Sequence, residues 1–252
     1  MRLPRYWEFL WTFTKREIQS RYKHTVLGFL WVFLNPFFQM IVIGAVVGFL
    51  FSPPVPNYFL FLFSGLLPWN FFSLSLDKAT TAFYWNRELL RKSRFPREAL
   101  PLSIVFSHGF HFLAALALFL TYFLLVGPGP IPTLFFLPLA ILWEAVFLVG
   151  LVLVTSSLEV FFRDVAFFVK ALLLVWFYAT PVLYPLHLVP ERFVTLAGLN
   201  PLSSIFSLYH HSFFGFPVYP ENILVGLLVT AVVLVTGLAL FRKTSPYFVD
   251  WL

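Results

Sequence analysis

Apolar runs of about twenty residues recur along this chain, separated by short breaks of charge, proline or glycine. A helix needs roughly 20 mostly apolar residues to cross the hydrocarbon core of a bilayer. Six stretches come close to that length or pass it: about 27–51, 58–76, 99–126, 134–158, 165–183 and 223–241. Ser52-Pro53-Pro54 and Gly127-Pro128-Gly129-Pro130 mark the turns after the first and third. Residues 1–26 differ from these runs. They have neither the uninterrupted apolar core nor the small-residue cleavage site of a secretory signal. At helical spacing, Trp7, Leu10, Trp11, Thr14, Ile18 and Tyr22 form one stripe, with Glu8, Thr12, Lys15, Gln19 and Lys23 opposite. Such a helix lies in the membrane interface rather than across it.

Composition agrees with this pattern. The chain has 252 residues, 60% of them hydrophobic and only 11% charged, with 35 Phe, 8 Trp and 10 Tyr. A soluble domain carries about a quarter charged residues, so the expected class is an all-α integral membrane protein. With no cysteine there is no disulfide framework and no thiol chemistry.

Charge orients the spans. Arg2, Arg5, Lys15, Arg16, Arg21 and Lys23 precede the first span, and Lys78, Arg87, Arg91, Lys92, Arg94 and Arg97 lie between the second and third. Arg163 and Lys170 flank the turn between the fourth and fifth, and Arg242 and Lys243 follow the sixth. In a six-span scheme these sixteen of seventeen basic residues share one side, and only Arg192 lies on the other. The positive-inside rule puts that side, and both termini, in the cytoplasm. The stretch 86–101, NRELLRKSRFPREALP, holds seven charged residues, five of them basic. Asn86 offers a helix cap there. Two readings stay open for this loop: a solvated segment that fixes topology and touches anionic lipid, or a docking surface, since Trp85, Leu89, Leu90 and Phe95 are interleaved with the charges.

On the other side, residues 185–222 form the longest connection, and it is apolar. Val189-Pro190-Glu191 and Asn200-Pro201 read as helix starts, Asn as cap and Pro at the first helical position. The helices either dip into the membrane as a re-entrant pair, which requires cover from protein or water, or lie flat on the outer interface.

Candidate chemistry is sparse. There is no G-x-x-x-x-G-K-[ST] phosphate loop and no G-x-G-x-x-G, so ATP hydrolysis, if used, belongs to another chain. His108 and His111 are too few for a closed metal site. Glu144 is the carboxylate deepest in a span. It is either a pathway group or a hydrogen-bonded acid at a helix interface. Glu159, Arg163, Asp164 and Lys170 gather at one turn as local pairs. The aromatics Trp31, Phe38, Tyr58, Trp69, Phe72, Trp176, Tyr178 and Tyr184 fit membrane-interface anchoring and equally fit stacking against sugar rings.

Four stretches carry a resemblance: Arg21-Tyr22-Lys23-His24-Thr25-Val26-Leu27-Gly28 running through Trp31 to Asn35-Pro36; Phe95-Pro96-Arg97-Glu98 leading to Leu100-Pro101-Leu102; Phe162-Arg163-Asp164 followed by Thr180-Pro181-Val182-Leu183-Tyr184-Pro185; and Leu199-Asn200-Pro201. In this order and spacing the chain resembles the membrane subunits of ABC-2 type polysaccharide exporters, within that family most of all the O-antigen (Wzm-type) permeases. Teichoic acid and capsular polysaccharide permeases share most of these motifs.

The resemblance implies a six-span permease of the bacterial inner membrane, acting as a homodimer with two copies of an ABC ATPase subunit. It implies no catalysis and no cofactor in this chain, ATP and magnesium residing in the partner. The cargo it implies is a polysaccharide on a carrier such as undecaprenyl diphosphate, with membrane lipid and no nucleic acid as further contacts. Residues 1–26 become the cytoplasmic interface helix and 27–252 the transmembrane domain, with 77–98 a coupling loop and 185–222 an outer gate region.

Trp85, Arg87, Glu88, Arg91, Lys92 and Arg94 would then meet the ATPase. Arg21 and Lys23 would receive the carrier diphosphate, unless their charge serves topology alone. The aromatics named above would line a conduit between spans one and five of two protomers. Asn200, Pro201, Tyr209 and His210 would belong to the outer gate. One departure is visible: Tyr209-His210-His211 stands where an Arg is expected in many relatives. An ion-coupled solute transporter and a membrane-embedded transferase are the rival classes. Both need more buried acids or histidines at one depth than Glu144, His108 and His111 supply.

Overall fold

The computed structural model describes residues 3–22, 27–50, 55–92, 95–126 and 132–251. Its described residues form helices and connections, with no strand among them. In chain order the helices are α1 (Leu3–Tyr22), α2 (Trp31–Leu50), α3 (Tyr58–Thr80), α4 (Ala82–Trp85), α5 (Arg87–Lys92) and α6 (Ala99–Val126). Then follow α7 (Leu137–Phe161), α8 (Asp164–Ala179), α9 (Glu191–Gly198), α10 (Pro201–Phe214), α11 (Pro220–Thr244) and α12 (Phe248–Trp251).

Among the described residues, five segments are long and apolar enough to cross a membrane: Gly28–Leu50, Tyr58–Thr80, Ala99–Val126, Pro132–Phe161 and Pro220–Trp251. The expected fifth span differs. Its helix, α8, has 16 residues and stops at Ala179 rather than near 183. The reason lies in Thr180-Pro181: the residue before a proline is pushed out of the helical region, and Thr180 sits at φ −102°, ψ 140°.

α3 is the axle of the bundle, 72% buried over its apolar window, and it packs against α2, α6, α7, α8 and α10. α7 and α11 form the most extensive helix pairing among the described residues. In lipid, apolar helices gain little from leaving the solvent, and close backbone approach between small residues drives packing instead. Here a Cβ on Gly237 would fall 2.5 Å from the Gly150 carbonyl oxygen, and one on Gly150 would fall 2.9 Å from Leu234 Cα. Trp143 Nε1 donates to Thr230 Oγ1 at 2.8 Å along the same seam.

α1 packs along α6 and divides the stripe that the sequence suggests, Leu10 and Thr14 being buried. Leu10 and Phe13 close onto Ala99, joined by Tyr6, Phe9, Leu89, Phe95 and Leu102, while Trp7 and Trp11 face outward. The helix splits its aromatic surface: one edge meets protein, and the tryptophan edge remains for an interface. At the same end of the bundle, α12 sets Phe248 among Phe83, Phe161 and Phe241, behind α4 and α5.

Candidate functional site

The termini of α1 and α3, the middle of α6 and the α7–α8 turn meet around a cavity of about 790 Å³ at the basic end of the bundle. Arg21, Lys78, Arg163 and Lys170 line it, against the acids Asp77 and Glu159. Three of these cations meet a neighbouring side chain. Lys78 Nζ pairs with the Glu17 carboxylate on α1. Arg163 lies over the Tyr84 ring at 5.2 Å. Arg21 Nη1 comes within 3.4 Å of His111 Nδ1, and His108 Nδ1 lies 3.2 Å from Ser75 Oγ. Four cations around one hollow suit a multiply charged anion, because charge-assisted hydrogen bonds are the strong ones.

A second hollow of about 330 Å³ continues from the first between α2, α3 and α6, sharing Arg21, Leu74 and His108 with it. Its walls carry the side-chain amides Asn35, Gln39 and Asn70 beside Trp31, Phe38 and Phe71. Asn70 Nδ2 donates to Gln39 Oε1 at 2.9 Å. Pro36 lies inside α2 and has no N–H, so the Val32 carbonyl in the same wall lacks its usual helical donor. Amides exposed in an apolar helix are costly against hydrocarbon. They face this hollow instead.

The expected coupling residues stand on α4 and α5. Trp85, Arg87, Glu88, Arg91 and Lys92 are exposed, with Lys92 Nζ 2.7 Å from Glu88 Oε2. Leu90 turns inward, and Leu89 packs behind α1. Arg94, and Lys23 of the diphosphate pair, lie outside the described residues. Asn86 does not cap α5 with its side chain. It accepts from Arg16 Nη2 at 2.7 Å and donates to the Ala82 carbonyl at 2.9 Å, which ties α1 to the α4–α5 joint.

The aromatics divide. Trp31 and Phe38 line the amide-bearing hollow, and Tyr178 is exposed on α8. Tyr58, Trp69 and Phe72 are buried within the protomer. Tyr58 donates to the Leu183 carbonyl at 2.9 Å, and Trp69 and Phe72 pack on each other. Tyr184 donates to the Tyr178 carbonyl at 3.1 Å. Trp176 points at Asn200.

Asn200 joins the two proline motifs. Its Oδ1 accepts from Trp176 Nε1 at 2.9 Å and from the Leu202 backbone at 3.1 Å, capping α10, while its Nδ2 donates to Thr180 Oγ1 at 3.1 Å. α10 begins with Pro201 at its first position and is enclosed by α3, α7 and α11. Tyr209 on α10 donates to Glu144 Oε2 on α7 at 2.6 Å, both groups fully buried. Of the two readings of Glu144, the structure gives the hydrogen-bonded acid at a helix interface. His210 lies with its ring 4.3 Å from Phe61, its nitrogens unbonded among the described residues. Among the described residues no group of histidines and acids could hold a metal ion.

The sequence matches the ABC-2 type transporter family over residues 8–214. It is 35% identical over 251 residues to the O-antigen export system permease protein RfbA of Myxococcus xanthus, spanning 98% of this chain and 96% of that one. A Klebsiella pneumoniae protein of the same name is 30% identical over 238 residues, 94% and 92% of the two chains. The polysialic acid transport protein KpsM of Escherichia coli is 24% identical over 240 residues, 90% of each. The chain belongs to the ABC-2 type transporter family.

Membership in the ABC-2 family covers both hollows, because their lining residues all fall between 21 and 170. It stops short of α11 and α12. Lys78, Lys170, Asn35, Gln39 and Asn70 were not legible as site residues from the sequence. An amide within an apolar run was the available signal, and Gln39 and Asn70 each carry it.

Proposed function

We propose that this chain is the membrane subunit of an ABC exporter that moves a lipid-linked polysaccharide of the O-antigen type across the bacterial inner membrane. The observation that carries the reading is a hollow lined by four cations opening into one lined by amides and aromatics. A carrier diphosphate needs the first, and a sugar chain needs the second. The family relatives named for O-antigen export, at 30% and 35% identity, favour that cargo over the capsular one of the 24% identical relative.

In this reading the chain crosses the membrane six times, with α8 as a short span. Sixteen residues rise about 24 Å, and a bilayer thins locally to meet a short helix. Both termini are cytoplasmic by the positive-inside rule, and residues 1–26 lie along the cytoplasmic interface. α9 and α10 form a re-entrant outer gate, a reading supported by the cover that α10 receives on its sides. Two copies of the chain meet along the exposed faces of α2 and α8 and enclose the conduit. Two ATPase subunits press on the exposed charges of α5, binding ATP and magnesium themselves. The motion reaches the basic hollow through Arg16–Asn86 and Lys78–Glu17, the contacts that tie α1 to the α4–α5 joint and to α3.

The test is export by the reconstituted complex. Proteoliposomes holding both subunits should carry carrier-linked glycan to the protected side only when ATP is supplied. ATP-independent movement, or none with a competent ATPase present, would contradict the assignment.

A further inference from the structure

The amide-lined hollow has chemistry that the basic cavity does not explain. Among the described residues it carries no acid, and its only Lys or Arg is Arg21, at the border with the first hollow. Its walls carry Asn35, Gln39 and Asn70 and the rings of Trp31 and Phe38. Each amide both donates and accepts, as a sugar hydroxyl does. Aromatic faces meet the apolar C–H surface of a pyranose. At about 330 Å³ the hollow lies at the small end of ligand sites, which run roughly 300–1,000 Å³. Asn35 makes no hydrogen bond among the described residues, so its amide is available.

We infer that this hollow between α2, α3 and α6 recognises the first sugar of the glycan, the one attached to the carrier diphosphate, and so reads the cargo before export. The inference rests on the proposed role of the basic cavity as the diphosphate site. Contiguity through Arg21 and His108 is what makes the two hollows one site: the phosphates anchor beside Arg21, and the sugar they carry projects toward Asn35 and Gln39. The groove is thereby a specificity element within one protomer, separate from any surface that the polymer slides along later.

The experiment uses the complete complex with its ATPase in nanodiscs. The probes are a water-soluble short-chain isoprenyl diphosphate, bare or bearing one N-acetylhexosamine, with Trp31 fluorescence and calorimetry as readouts. The sugar-bearing probe should bind on the order of tenfold tighter, the worth of one or two net hydrogen bonds. The Asn35→Ala and Gln39→Ala double variant should erase that advantage and leave affinity for the bare diphosphate unchanged. Neither change removes a group from the buried core, and Asn35→Ala alone serves if the pair folds poorly. Arg21→Gln should weaken both probes. Free methyl N-acetylhexosaminide should fail to compete. A bare diphosphate that binds while the sugar adds nothing overturns this inference alone. Equal weakening of both probes by the amide variants overturns it too, as does full competition by the free glycoside. Binding of neither probe overturns the diphosphate reading beneath it.

Discussion

Tyr209 and Glu144 form a hydrogen bond of 2.6 Å between two fully buried side chains, one on the proposed gate helix α10 and one on α7. The phenol gives the carboxyl group its one partner at that oxygen and fixes the depth at which α10 sits. Tyr209→Phe removes the donor and strands the acid. A buried polar group left unpaired costs about 1–3 kcal/mol, so the variant should melt several degrees lower in detergent. Glu144→Gln keeps an acceptor for the phenol and should lose less. Thermal unfolding followed by size-exclusion fluorescence checks the order.

Gly237 meets the Gly150 carbonyl so closely that a methyl group has no room, and the atom in its way is backbone. Gly237→Leu should therefore force α11 off α7 and abolish a monodisperse product. Gly48, where a Cβ meets nothing within 4 Å, should accept alanine without loss. Yield and elution profile of the two variants make the comparison. Equal behaviour would refute the close seam.

Asn200 serves Trp176, Thr180 and the α10 N-terminus together. Asn200→Ala loses a cap, worth about 1 kcal/mol, and leaves Trp176 Nε1 without an acceptor, a further 1–3 kcal/mol or so. Asn200→Asp keeps the acceptor oxygen and loses the amide's donor bonds to Thr180 Oγ1 and the Ala179 carbonyl. It should fall between the two in thermal stability, and tryptophan emission should shift more in the alanine variant.

Arg21 and Lys170 line the same cavity from α1 and α8. Replacing either with Gln should leave expression and ATPase binding intact and raise the substrate concentration needed for half-maximal export about tenfold or more, since hydrogen bonds to charged groups are worth about 1.5–3 kcal/mol. The two effects should be less than additive, because both groups face one anion.

Much of this architecture could be read from the sequence, because its cause is local. Apolar run length announced five long helices, and Asn200-Pro201 announced the start of α10. Length failed at α8, where Thr180-Pro181 ends the helix early. Phe72 and Trp69 could not be told from surface aromatics, because burial is decided by which helix passes alongside. The cation cavity was invisible for a similar reason. Arg21, Lys78, Arg163 and Lys170 span 150 positions and meet only when four helices are assembled. The Tyr209–Glu144 bond joins residues 65 apart, so neither residue alone reveals it.

In the proposed function a separate ATPase presses on α5, and Arg91 and Lys92 are the residues through which to challenge it. Both are exposed on that short helix, away from its buried Leu90. The measurement is co-purification from gently solubilised membranes, with ATP hydrolysis assayed on the product, for the unmodified chain and for Arg91→Glu with Lys92→Glu. A stoichiometric ATPase subunit is expected with the first, and its loss or uncoupling with the second while the chain remains inserted. A chain that purifies alone from several detergents, or a double reversal that still couples hydrolysis to export, would contradict it.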